Sequence, residues 1–247
     1  QLEIVGVADP VQAEAIPAPR YWKDWKDCLN DRPEADIVMI TMPDNLHYEP
    51  SLLALEYGYH LLLEKPISPT EEQCRDVISK ALEKKRLVIV GHILRYTAYF
   101  AHIKALIDSG ELGEVVSIAH QESAGFWKVA HSYVRGNWRR AEDSTPMILA
   151  KCSHDLDLLQ FYANSKCTSI SSIGDLVYFK KENEPAGATD RCIDCPHKDS
   201  CPYSAKSHYL DGWGWHGKPE DRWPWNIIAE APLTEEKIFT AIKEGPY

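Results

Sequence analysis

No run in the 247 residues approaches eighteen consecutive apolar side chains, the length that a membrane-crossing helix needs. The longest apolar stretches, Ile37-Val38-Met39-Ile40 and Leu87-Val88-Ile89-Val90, have the length of buried strands. A soluble protein with no membrane partner is expected. Cationic excess is missing too: 27 Lys and Arg face 37 Asp and Glu, a net charge of −10. Phosphate-backbone binding draws on clustered positive charge, so no nucleic-acid partner is expected. The nearest thing to a basic patch, Lys84-Lys85-Arg86, falls at the end of a predicted helix, where cations complement the helix dipole. No signal peptide is expected, and seven cysteines cannot all pair. Free thiols or a metal site in a reducing cytoplasm are therefore expected. Internal repeats and low-complexity tracts are absent, and at 44% hydrophobic the chain can bury one large core or two modest ones. The first nine residues read as a strand in mid-fold with no initiating methionine, and Lys243-Glu244-Gly245-Pro246-Tyr247 adds no closing element. A fragment at both ends is the expectation.

What is present alternates. Strand-like runs at 4–8, 37–41, 60–64 and 87–91 are separated by helical segments, which reads as βαβ units with a parallel sheet. Near-continuous Val, Ile and Leu within the runs predicts helices on both faces of that sheet. The strongest helix signal covers 70–86, with Thr70 and Gln73 as a capping box and Cys74, Val77, Ile78, Ala81 and Leu82 on one face. A shorter helix over 48–57 carries Leu52 and Leu55 and ends at Gly58, a left-handed terminal position. A helix over 98–108 ends at Gly110, and an extended segment opens at 115–121, so a domain boundary is placed between Gly110 and Gly113. Pro146, after the capping candidates Ser144 and Thr145, predicts a helix over 146–162. From Lys180 to Tyr247 the chain is polar and rich in Pro, Gly and Trp. It reads as irregular surface structure or an insertion.

Several residues sit where chemistry is done. Asp9 follows the first strand, where an acidic residue accepts hydrogen bonds from a ribose diol and repels a 2′-phosphate. The glycine-rich loop that precedes such a strand in a dinucleotide site is absent from the sequence, and Ala8-Asp9-Pro10 is equally an ordinary turn. Thr41-Met42-Pro43-Asp44-Asn45-Leu46-His47 leaves a buried strand at its carboxyl end, the side on which open α/β sheets bind ligands. Asp44 and Asn45 also suit a turn and cap. His60-Leu61-Leu62-Leu63-Glu64-Lys65-Pro66 ends an apolar strand in a charged pair. A lysine there polarises a substrate hydroxyl or carbonyl with Glu64 holding it; an exposed ion pair is the alternative.

The strings Pro43-Asp44-Asn45-Leu46-His47, Glu56-Tyr57-Gly58-Tyr59-His60, Glu64-Lys65-Pro66 and Gly91-His92-Ile93-Leu94-Arg95-Tyr96 together resemble the glucose-fructose oxidoreductase, inositol dehydrogenase and rhizopine-catabolism family, Gfo/Idh/MocA. Their order and spacing match it across 2–159. The resemblance implies a Rossmann-type parallel sheet over 1–111, lacking its first strand and glycine-rich loop. It implies an incomplete α+β substrate domain over 112–247, with a Cys- and Trp-rich insertion at about 180–247 and a sheet that serves as an oligomer interface, giving a dimer or tetramer. NAD, or NADP, is the implied cofactor. Its site takes in Asp9, Thr41, Pro43, Asn45, His47, the Glu64-Lys65-Pro66 triplet and Arg95. Lys65 is implied to lie beside the nicotinamide, and His154 to be the acid or base on the first long helix of the second domain. Many members carry Asp four residues before that His; this sequence has Ala150, with Lys151 one place later. Lys151 and His154 share a helix face at a spacing of three, and a charged Lys151 favours neutral His154.

The implied reaction is oxidation of a secondary hydroxyl on a sugar, cyclitol or polyol. An NAD-dependent glycosidase and a non-catalytic sugar or dinucleotide sensor are the alternatives. Trp138 and Arg139 are candidate substrate contacts in a polar loop. Cys192, Cys195 and Cys201 are spaced for a structural zinc or, second to it, an iron–sulfur centre, with His197, His208, Cys167 or a further cysteine downstream as the fourth ligand, or else are free or partly disulfide-linked thiols. Trp213, Trp215, Trp223 and Trp225 either stack on sugar rings or, as the composition favours, pack an irregular segment.

Overall fold

In the computed structural model, which describes residues 2–10, 16–211, 223–230 and 232–247, the amino-terminal apolar runs become short parallel strands. Strands β1 (Val7–Ala8) and β2 (Tyr21–Trp22) pair with Val7 opposite Tyr21. Strands β3 (Ile37–Ile40), β4 (His60–Leu63) and β5 (Val88–Val90) form a second parallel sheet in that order. Ile37 lies opposite His60 and Leu61 opposite Val88. Parallel neighbours need a crossover, and in the second sheet α2 (Tyr48–Glu56) and α3 (Glu71–Lys84) supply it, while α1 (Trp25–Asn30) leads from one sheet to the other. Leu29, Ile40, Leu55, Leu61, Leu63, Val77 and Ala81 share one core, and full burial of a Leu or Val side chain stabilises by about 1.5–3 kcal/mol. Cover on both sheet faces was expected; among the described residues Met39 and Ile89 on the other face stay exposed.

Local chemistry explains where the helices stop. The Thr70 hydroxyl accepts from Gln73 N–H as the capping box predicts, but the Gln73 side chain turns to the Ser68 hydroxyl instead of completing the box. On α3 the stripe that packs is narrower than the sequence suggests: Val77 and Ala81 are buried while Ile78 and Leu82 are exposed. Gly58 adopts φ +89° just beyond α2, a conformation that costs glycine nothing.

Helix α4 (Ala98–Asp108) forms where expected and gives way to Gly110 at φ +77°. The chain then makes the short helix α5 (Phe126–Val129), and the helix predicted over 146–162 forms as two pieces, α6 (Met147–Ala150) and α7 (Ser153–Ala163). Pro146, which has no side-chain acceptor, caps α6, and the Thr145 hydroxyl before it is committed to Asp44. Two short helices close the chain, α8 (Trp225–Ile228) and α9 (Glu235–Glu244).

The residues form two compact units, one of Gln1–His120 with Glu142–Lys166 and one of Gln121–Ala141 with Cys167–Tyr247. Helix α7, expected beyond the boundary at 110–113, thus belongs with the sheet, packing on α4 and on the turn Ile93–Tyr96. The segment 115–121 is exposed, and among the described residues no strand pairing follows β5. The second unit has its own core of Ala205, Tyr209, Ile228, Leu233, Ile238, Ile242 and Tyr247. That corrects the reading of 180–247 as irregular surface. Its missed helix was legible: Thr234 accepts from Lys237 N–H, two glutamates fill the first turn, and Ile238 and Ile242 lie four apart on the buried face. Trp225 packs there and donates its indole N–H to Tyr209 O at 3.0 Å, while Trp213 and Trp215 lie outside the described residues. Among the described residues no helix is long and apolar enough to cross a membrane.

Candidate active site at the carboxyl ends of the strands

Strands β3, β4 and β5 deliver their following residues to one edge of the sheet. His47, fully buried at the start of α2, ties two of these loops together: its Nδ1 lies 2.8 Å from Pro66 O and its Nε2 2.7 Å from Met42 O. Asp44 joins the same loop to Thr145. Thr41, Pro43 and Asn45 are exposed along it, and half-buried Asp9 ends β1, its N–H donating to Trp22 O at 3.1 Å. The crevice beyond the carboxyl ends of parallel strands is where dinucleotides lie. These residues fit that use, with their side chains at the open edge of a backbone pinned by His47.

Glu64 and Lys65 leave β4 together but do not form the expected ion pair. A Glu64 oxygen accepts from the Lys65 backbone N–H at 3.2 Å, and the Lys65 ammonium donates to Ala150 O at 2.6 Å. The helix break explains why that carbonyl is available. In an unbroken helix Ala150 O would take the His154 N–H; here His154 N–H bonds Lys151 O at 3.1 Å and Ala150 O is released. The position where a carboxylate was sought thus contributes a backbone carbonyl instead. The break also removes the argument that Lys151 and His154 share a helix face, since Lys151 ends α6 and His154 begins α7.

Burial holds the His154 imidazole below its ordinary range, helped by the positive charges of Lys65 and His92 and opposed by Glu64 and Asp155. Its cationic neighbour is therefore Lys65, where the sequence suggested Lys151. His154 Nδ1, His92 Nδ1, Ser153 Oγ and Asp155 Oδ2 are buried without hydrogen-bond partners. Such atoms are rare in folded proteins and need a reason; three of these four residues, Ser153, His154 and Asp155, are consecutive in the first turn of α7. Asp155 uses its other oxygen on His120 Nε2 at 2.6 Å.

Arg95, expected at the cofactor, is held bidentately by Asp157 at 2.5 Å for both bonds and lies 4.8 Å from the Phe161 ring centroid. It fastens α7 to the turn after β5. Sequence reasoning missed Asp157, His92 and Asp155. The signal for His92 was there, since it follows a predicted strand just as Glu64 and Lys65 do.

The remaining candidates lie in the second unit. Arg139 donates to Gly136 O at 3.2 Å, and the Trp138 ring sits 6.1 Å from that of Tyr133. Cys192, Cys195 and Cys201 are half-buried free thiols. Among the described residues no three His, Cys, Asp or Glu side chains gather to hold a metal ion.

Residues 1–92 match the oxidoreductase family with an NAD-binding Rossmann fold, Gfo/Idh/MocA, and residues 100–192 match the Gfo/Idh/MocA C-terminal domain. An uncharacterized oxidoreductase of Streptococcus pneumoniae is 29% identical over 214 residues, 86% of this chain and 56% of the relative. The 2,7-anhydro-N-acetylneuraminate hydratase of Mediterraneibacter gnavus is 26% identical over 72% of this chain and 47% of its own length. The inositol 2-dehydrogenase of Salmonella typhimurium is 30% identical over 47% of this chain and 37% of its own. The chain spans about half the length of the first two of these relatives. In fold it resembles the scyllo-inositol dehydrogenase of Lactobacillus casei solved with NAD(H) and scyllo-inositol, at a TM-score of 0.54 and 21% identity over 65% of this chain and 48% of that one. The parallel strands, the Glu64-Lys65-Pro66 loop and both matches agree: the chain belongs to the Gfo/Idh/MocA oxidoreductase family and carries its NAD-binding Rossmann domain.

Proposed function

We propose that this chain oxidises a secondary hydroxyl of a sugar, cyclitol or related polyol. The observation that carries the reading is the meeting of Lys65 and His154: an ammonium anchored on Ala150 O beside a half-buried imidazole held below its usual range. A nicotinamide bound at the strand ends supplies the hydride acceptor. Neutral His154 takes the hydroxyl proton. The Lys65 ammonium, with one proton on Ala150 O and two more to donate, stabilises the negative charge that develops on the substrate oxygen. Asp9 favours NAD, because its carboxylate accepts a ribose diol and repels a 2′-phosphate.

Two measurements test this. The protein is expected to bind NAD in a calorimetric titration, and to raise absorbance at 340 nm with at least one member of a cyclitol and aldose panel. Binding without any turnover across the panel would overturn the dehydrogenase reading. A second reading, redox-neutral chemistry through transient oxidation, is favoured by the hydratase among the relatives. Substrate consumption with NAD bound and no lasting change at 340 nm would select it. Zinc on Cys192, Cys195 and Cys201 is a separate proposal that rests on their spacing.

A further inference from the structure

Two imidazoles meet at this site. The rings of His92 and His154 stand edge to face, 5.8 Å between centroids at 81°. Each leaves its Nδ1 buried and unpartnered. His92 follows Gly91 at the end of β5, where a Cβ would lie 3.3 Å from the Glu64 carboxylate, so a larger residue would make Glu64 give by a few tenths of an ångström. His92 N–H then turns back on Val90 O at 2.7 Å.

We propose that His92 is a positioning residue for His154, the two rings forming a coupled pair that holds a single proton, so that His154 meets the substrate in its neutral form. Two imidazolium ions at this separation, partly withdrawn from water, repel each other more than two solvated ones do, and Lys65 adds a third positive charge to the same space. The other groups facing the pair are accounted for. Glu64 comes from the loop after β4 and Asp155, paired with His120, from α7 itself. Arg95, in the turn after His92, is matched by Asp157, and Lys104 on α4 by Asp108. No carboxylate bonds either orphaned Nδ1, and the pull of Glu64 and Asp155 on a His154 proton is outweighed by burial, Lys65 and His92. The inference rests on the reading of His154 as the proton acceptor, yet its physical content is measurable without turnover.

The test is a histidine-selective NMR titration of the full chain between pH 5 and 9. In His92→Phe the His154 midpoint is expected to move up. His92→Gln, which keeps a polar side chain but cannot titrate, serves if the phenylalanine variant does not fold. A His154 midpoint that stays put in His92→Phe and in His92→Gln would overturn the pair. If the panel finds a substrate, the acid limb of the kcat/KM profile moves to higher pH in His92→Phe while the high-pH plateau is kept. An upward shift of His154 without turnover of any polyol would leave the pair standing and remove the dehydrogenase reading. Turnover without that shift would do the reverse.

Discussion

Lys65→Met is expected to lower kcat for polyol oxidation by about 10²–10⁴, the range over which a positioned proton-transfer or charge-stabilising group acts. At roughly 1.4 kcal/mol per decade that is about 3–5 kcal/mol of transition-state stabilisation. The loss falls on kcat because the ammonium meets its full electrostatic demand only when the substrate oxygen becomes negative. Folding is not what is removed. Lys65 contributes one charge-assisted bond, to Ala150 O, and a bond of that kind is worth about 1.5–3 kcal/mol at most when buried, less for this half-buried residue. Steady-state rates at saturating NAD, read beside a urea unfolding curve, separate the two effects. A kcat within tenfold of the parent, or a variant that unfolds at low denaturant, would refute the assignment. Glu64 is a useful contrast, since its carboxylate serves the backbone N–H of Lys65 rather than the ammonium.

How much of this was legible in the sequence depended on whether the determinants were local. Strands β3, β4 and β5 and helices α2, α3 and α4 fell within a few residues of their expected ends, because apolar runs, the Thr70 cap and the Gly58 and Gly110 stops are local signals. The break between α6 and α7 was not legible. Nothing from Pro146 to Tyr162 disfavours a continuous helix, and the pieces separate where Ala150 O bonds a lysine 85 residues earlier in the chain. For the same reason the sequence pointed to Lys151 as the partner of His154, since a spacing of three presumes one unbroken helix.

The site divided along a similar line. Residues that follow predicted strands, Lys65 and Glu64 above all, could be nominated from position. Pairings such as Arg95 with Asp157 or Asp44 with Thr145 join segments 62 and 101 residues apart, which no periodicity encodes. The second unit was misread because its core comes from scattered residues. Tyr209 and Tyr247 are buried in it, yet neither lies in a run with a regular repeat.

That second unit is expected to lose stability in acid, most of all through His131. His131 is 4% exposed, stacked on Tyr247 at 5.4 Å and bonded through Nδ1 to the Tyr209 hydroxyl at 2.8 Å. Burial, with the charges of Arg135 and His208 behind it, pushes its pKa from 6.5 down to about 4. The Tyr209 hydroxyl, pushed up by burial to about 12, keeps its proton and donates to the ring, a bond that only neutral His131 can accept. The folded value lies below the unfolded one, so the unfolded chain binds more protons at intermediate pH. The contribution is therefore complete above about pH 6.5, declines as pH falls, and is gone below about 4. Its size over that window is about 3 kcal/mol. Urea unfolding followed at pH 7.5, 6, 5 and 4.5 reads it directly. His131→Phe is expected to be less stable at pH 7.5 by about 1–3 kcal/mol, since Tyr209 loses its acceptor, and to show a shallower fall towards pH 4.5. Carboxylates titrate in both proteins, so the difference between the two curves isolates His131. Parallel curves would show that the ring already accepts a proton in the folded state.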